Sequence, residues 1–116
     1  MIIKHLKQFE KISSIDELKR STKTPLFEFD IETMLFCKEN GLEYAVKTVS
    51  IKEAVIANEL GATYAVVPKD KAAQIQNIAN EYLFDTKILQ KAVFDWEIEK
   101  AALLGVDGVL LNNPPF

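Results

Sequence analysis

One cysteine, one histidine, one arginine and one tryptophan occur in 116 residues, and each scarcity removes a class of chemistry. With Cys37 alone, no intramolecular disulfide and no paired-cysteine metal knuckle can form. A buried thiol on a helix is its expected place. With His5 alone, histidine-rich zinc sites are excluded, and schemes that activate a serine or cysteine through histidine lose most of their support. Arg20 is the sole arginine, and basic and aromatic residues do not interleave, so no nucleic-acid partner is expected. The four glycines, Gly41, Gly61, Gly105 and Gly108, fit neither a dinucleotide fingerprint nor a P-loop. No cofactor and no metal site are therefore expected. No apolar run is long enough to span a membrane, and lysines at 4, 7 and 11 interrupt the first segment, where a secretory leader needs an unbroken apolar stretch. The expectation is a cytoplasmic protein without a membrane partner. Any chemistry must rest on lysines and carboxylates.

What is present is an ordinary globular composition, 48% apolar and 27% charged. A chain of this length buries roughly two-thirds of its unfolded surface, enough for one self-sufficient domain over 1–116. The net charge of −3 is unevenly divided: residues 1–24 carry six basic groups and three acids. That predicts a basic helical arm on an acidic body. Such an arm could touch an acidic partner, and a solvated amphipathic helix explains it at least as well.

The punctuation repeats. "SIDE" at 14–17 and "SIKE" at 50–53 fit the capping box, in which a serine and a glutamate three residues on satisfy orphan helix N–H groups. Gly41, Gly61 and Gly105 each follow a periodic apolar segment, where a left-handed helix end favours glycine. Each then leads into an apolar β run. The runs are "PLFEF" at 25–29, "EYAVKTV" at 43–49, "TYAVVP" at 63–68, "TKILQKAV" at 86–93 and "VDGVLL" at 106–111. Helical stretches separate them, such as "KAAQIQNIANEYL" with Ile75, Ile78, Ala79 and Tyr82 on one face. Strand, helix, strand at this spacing predicts an α/β fold of right-handed βαβ units with a five-stranded parallel sheet over 25–116. Two helices, about 2–12 and 15–22, are expected before it. Five such strands form either an incomplete (β/α)8 barrel or a doubly wound, flavodoxin-like sheet. The partial barrel is preferred, and its bare strand edges predict a homo-oligomer.

Alternation along each strand places Leu26, Glu28 and Asp30 on one face, Ala45, Lys47 and Val49 on one face, and Lys87, Leu89 and Lys91 on one face. Glu28, Lys47 and Lys91 are thereby expected to converge near the carboxyl ends of the strands, where parallel α/β folds hold their ligands. A lysine amine with a carboxylate beside it can form a Schiff base and shuttle the protons this requires. The same residues can equally be a cross-strand ion pair and snorkelling lysines without chemistry. A small anion could bind near Lys69, at the turn that follows the third run, or near Asn112 at the end of the last. Turn and helix-cap roles explain Lys69, Asp70, Asn112 and Asn113 at least as well.

Residues 26–112 resemble the middle of 2-keto-3-deoxy-6-phosphogluconate aldolases, class I aldolases of the ribulose-phosphate-binding barrel superfamily. "FEFDIET" resembles the strand with that family's catalytic glutamate, which falls on Glu28. "KTVSIKEAVIANELGATYAVVP" is similar to the family's second turn, helix and strand, with Thr48 and Pro68 matching. "ILQKAVFDWEIEKAALLGVDGVLL" resembles a segment of indole-3-glycerol-phosphate synthase, in which Lys91 takes the place of a general-acid lysine. The departures fall on functional positions. Leu110 stands where the aldolases carry the Schiff-base lysine, Glu32 where they carry a phosphate-binding arginine, and Ala92 where the synthase has an aspartate. The resemblance thus implies a shortened, aldolase-like barrel with a non-catalytic binding or regulatory role, its expected ligand a small anionic metabolite. The alternative is a small lyase acting on a keto acid or sugar phosphate through Lys47 or Lys91, with Glu28 as proton carrier.

Overall fold

Seven strands form where five are expected. The computed structural model describes residues 1–112, so Asn113 and the closing prolines lie outside the described residues. The chain runs β1 (Ile2–His5), a 3-10 turn (Leu6–Gln8), β2 (Phe9–Lys11), α1 (Ile15–Lys19), β3 (Thr24–Glu28), α2 (Ile31–Glu39), β4 (Ala45–Lys47) and α3 (Ile51–Glu59). It continues through β5 (Tyr64–Val67), a 3-10 turn (Lys69–Lys71), α4 (Ala72–Glu81), β6 (Lys87–Ala92), α5 (Glu97–Leu104) and β7 (Gly108–Leu111). β3 to β7 are the five expected strands, β3 shifted by one residue towards the amino end and the other four shortened by two residues or more.

The helix expected over 2–12 is instead β1, a turn and β2. Ile3, Leu6, Phe9 and Ile12 recur every third residue and so imitate a helical period. The turn at Leu6–Gln8 resets the alternation between two short strands, leaving Leu6 and Phe9 in one apolar cluster and Ile12 in another. What decides the matter is pairing: β1 bonds along β7 and β2 along β3, so each of these strands satisfies one side of its backbone in the sheet. The second expected helix, 15–22, is present as the shorter α1.

Helix starts follow the capping signals. Ser14, Asp30 and Ser50 accept the N–H of Glu17, Thr33 and Glu53 respectively. The reciprocal glutamate bonds reach one residue beyond the cap, since Glu17 accepts from the Ser13 N–H and Glu53 from the Val49 N–H. Asp30 is therefore a helix cap and not a member of an inward-facing carboxylate set. Gly61 and Gly105, at φ of +79° and +77°, end α3 and α5 in the left-handed region. On α4 the buried set is Ala72, Ile75, Gln76 and Ala79, with Tyr82 exposed.

All seven strands are parallel, in the order β1-β7-β6-β5-β4-β3-β2. The helices pack on one face only: Leu18, Met34, Cys37, Ala57, Ile75 and Ala101 join outer residues of the strands in two clusters. The other face holds a cluster drawn solely from the strands and the first turn, among them Phe9, Leu26, Ala45, Val66, Leu89 and Leu110. A doubly wound sheet would carry helices on both faces, so the flavodoxin-like alternative does not hold.

The sheet is strongly curled. Its edge strands β1 and β2 are consecutive in the chain, and four Cα steps from His5 to Phe9 span at most about 15 Å. In a flat sheet, six strand spacings would separate those edges by about 29 Å. Curling into a half-barrel reconciles the two, with the strand-only cluster inside and the helices outside. Gly108 marks the tightest contact, because a Cβ there would lie 2.3 Å from the Ile2 carbonyl oxygen. At the amino ends of the strands, side chains replace missing backbone partners: Asn58 accepts from the Asp85 and Thr86 N–H, Asp107 from the Ile88 N–H, and Gln76 from the Asp107 N–H. Among the described residues, no helix is long and apolar enough to cross a membrane.

Candidate functional site

Register determines which side chains share the inner face. Leu26, Val66, Leu89 and Leu110 lie in the inner cluster, and in a parallel ladder directly paired residues point to the same side. Lys47 pairs with Glu28 and Val66, Lys91 pairs with Leu110, and Lys11 pairs with Leu26. Lys11, Glu28, Lys47 and Lys91 therefore all belong to the inner face. Each sits at or next to the carboxyl end of its strand, β2, β3, β4 or β6.

Glu28 and Lys47 meet directly, with Nζ 3.5 Å from Oε1. The pair is lopsided: the Lys47 side chain is 17% exposed and the Glu28 side chain 82% exposed. The lysine stem lies along the inner wall while the carboxylate reaches into solvent. Lys91 lies on the same face two strands farther along the sheet, half-buried. Asn112 follows β7 and donates its N–H to the Ala92 carbonyl, 2.9 Å away.

The turn between β1 and β2 opens a cleft of about 660 Å³, lined by His5, Lys7, Lys11, Asp95 and Asn112 among others; Glu28, Lys47 and Lys91 are not in its lining. That volume suits a small metabolite. Lys4 also pairs with Leu110 and lies over the Tyr64 ring, so four lysines, Lys4, Lys11, Lys47 and Lys91, and the Glu28 carboxylate share the inner face near the strand ends, while Lys7 and Asp95 line the cleft.

Lys69 is placed elsewhere. It sits in the 3-10 turn after β5 and forms an ion pair with Glu97 at the start of α5. The turn has no side-chain cap, so Asp70 is not a helix cap. Glu97 is buried and also accepts the N–H of Val93 at 2.7 Å and of Phe94 at 2.9 Å. The Lys69 ammonium and these N–H groups hold its carboxyl down at about 2. Above it the Lys69 ammonium approaches the face of Trp96, 6.0 Å from the ring centre.

Lys11 and His5 were hidden from sequence reasoning by the assignment of 2–12 to a helix. Glu97 carries only half of the signal that marks Glu17 and Glu53. Glu17, Glu53 and Glu97 each accept the N–H of the residue four positions earlier, Ser13, Val49 and Val93. The third example lacks the serine that makes the other two recognisable. Cys37 is fully buried on α2, and burial pushes its thiol up to about 11. Among the described residues, no cluster of three or more metal-ligating side chains occurs.

No known protein family matches the chain, and no curated protein matches it either.

Proposed function

We propose that this protein binds a small anionic metabolite, a keto acid or sugar phosphate, at the carboxyl end of its curled sheet, and does so without catalysis. The observation that carries this reading is the placement of Lys11, Lys47 and Lys91 on one inner face near the strand ends, with Lys11 also lining a cleft of metabolite size. Ammonium groups on an apolar wall attract an anion and orient it. Lys47 is engaged by Glu28, and a lysine in an ion pair serves as a charged donor. Leu110, fully buried, fills the β7 position where the resembled aldolases carry their Schiff-base lysine. The aldolase-like barrel ancestry and a homo-oligomeric state belong to the same proposal. A regulatory role would follow if occupancy of the cleft altered how copies associate.

A second reading, the small lyase, is favoured by one observation: the 3.5 Å contact of Lys47 with Glu28 puts an amine beside a proton carrier.

One pair of measurements separates the two. Calorimetric titration with inorganic phosphate, ribose 5-phosphate and pyruvate is expected to show saturable binding of at least one, weakened about tenfold by Lys47→Met or Lys91→Met. Borohydride added to the protein with pyruvate is expected to leave the intact mass unchanged. An adduct mapping to Lys47 or Lys91 would establish the lyase, and absence of binding to all three probes would reject the anion site.

A further inference from the structure

A second cavity lies on the opposite, helix-bearing face. Gln90 alternates along β6 with the inward Leu89 and Lys91, so it points outward, beneath α5. There a cavity of about 420 Å³ is lined by Lys69, Gln90, Trp96, Lys100, Leu103 and Leu104, with Glu97 in its wall.

Two observations mark it as a built site. Gln90 is 1% exposed, and its Oε1 is a buried acceptor without a hydrogen-bond partner among the described residues. Buried acceptors are nearly always satisfied, so an orphan lining a cavity points to a donor from elsewhere. Around it stand large apolar side chains turned to solvent: Trp96 is 62% exposed and Leu103 82%. Phe94 stacks on Trp96 with ring centres 5.9 Å apart and planes inclined by 10°, which favours one orientation of the indole. The Lys69–Glu97 pair is internally neutral, so Lys100 leaves the cavity with one positive charge in excess.

From these groups we infer that the cavity binds a planar aromatic acid bearing a phenolic O–H or ring N–H. The ring stacks on Trp96 and rests on the leucines, the O–H or N–H donates to Gln90 Oε1, and the carboxylate faces Lys100. This site is separate from the inner-face anion site and stands or falls independently of it.

Trp96 is the only tryptophan, so its fluorescence reports on this cavity alone. Titration of the full chain with 4-hydroxyphenylacetate is expected to give a saturable change, about tenfold tighter than with phenylacetate, which lacks the donor. Gln90→Leu is expected to fold, because an apolar isostere removes an unsatisfied group, and to erase the difference between the two acids. Gln90→Met is the companion variant should leucine disturb the sheet, with folding checked by circular dichroism. Lys100→Gln is expected to weaken both acids alike. The inference is overturned by the absence of a saturable change, by equal affinities in the unaltered protein, or by a preference that survives loss of Gln90. It is also overturned if the fluorescence follows protein concentration alone, with a doubled mass in light scattering, since a second copy then covers the patch.

Discussion

Lys47 and Glu28 face each other across the β3–β4 ladder as direct register partners, with Nζ 3.5 Å from Oε1, yet one side chain is mostly buried and the other mostly in water. That asymmetry separates their energetic and functional weights. An ion pair with one partner so exposed is worth less than about 1 kcal/mol.

Glu28→Gln is therefore expected to shift the urea midpoint very little. It removes the competing negative charge at the mouth, so anion binding at the inner face should tighten by roughly threefold. Lys47→Met should likewise fold, and it should bind the same anion about tenfold more weakly. Parallel denaturation and calorimetric titrations check both; weaker binding in Glu28→Gln would contradict the assigned charge balance.

Gly108→Ala forces a Cβ to within 2.3 Å of the Ile2 carbonyl and 2.7 Å of the Ile2 Cβ. The contact is with backbone, so relief requires β1 to move off β7. A loss of about 1–3 kcal/mol is expected, and hydrogen exchange at the paired amides of β1 should accelerate more than exchange at β5. Uniform acceleration across the sheet would mean that β1 is not separable from the rest.

Glu97 makes stability depend on pH in one direction. Its carboxyl lies at about 2 in the folded protein, against 4.5 ordinarily, because the Lys69 ammonium and the Val93 and Phe94 N–H groups bind the charged form. Its contribution is complete above the unfolded value near 4.5 and disappears as pH falls towards 2. Urea midpoints of the unaltered protein and of Glu97→Gln should therefore differ at about pH 6 and converge in acid. Glu97→Ala, which strips the acceptor from two N–H groups, should cost about 1–3 kcal/mol.

Cys37 should be unreactive in the folded state. It is fully buried with a thiol at about 11, so roughly one group in a thousand is ionised near pH 8. Alkylation by iodoacetamide is expected to follow global unfolding, accelerating in urea in step with loss of circular dichroism. Rapid modification of the native protein would contradict the packing of α2.

β3 to β7 and the shared inner face of Glu28, Lys47 and Lys91 were legible because strand alternation is local and the capping serines and glycines fix where each strand begins. The N-terminal strands were not. Their apolar spacing resembles a helix, and only pairing with β7, distant in sequence, and with β3 decides otherwise. Lys11 was lost from the candidate site for the same reason. Lys69 lies in the turn just past β5, where its ion pair with Glu97 holds it on the outer face, and no sequence pattern announces that partner.

The half-barrel ends with Ile2 held against Gly108, so its first strand gains a neighbour only after the last has been made. Such distant pairing is slow to find, because the intervening chain must be ordered before the ends can meet. β3 to β6 can align sequentially, each on its predecessor. Until β7 arrives, β1 remains an unmatched ribbon of backbone beginning with two isoleucines, and this interval is when the folding protein is most exposed to aggregation.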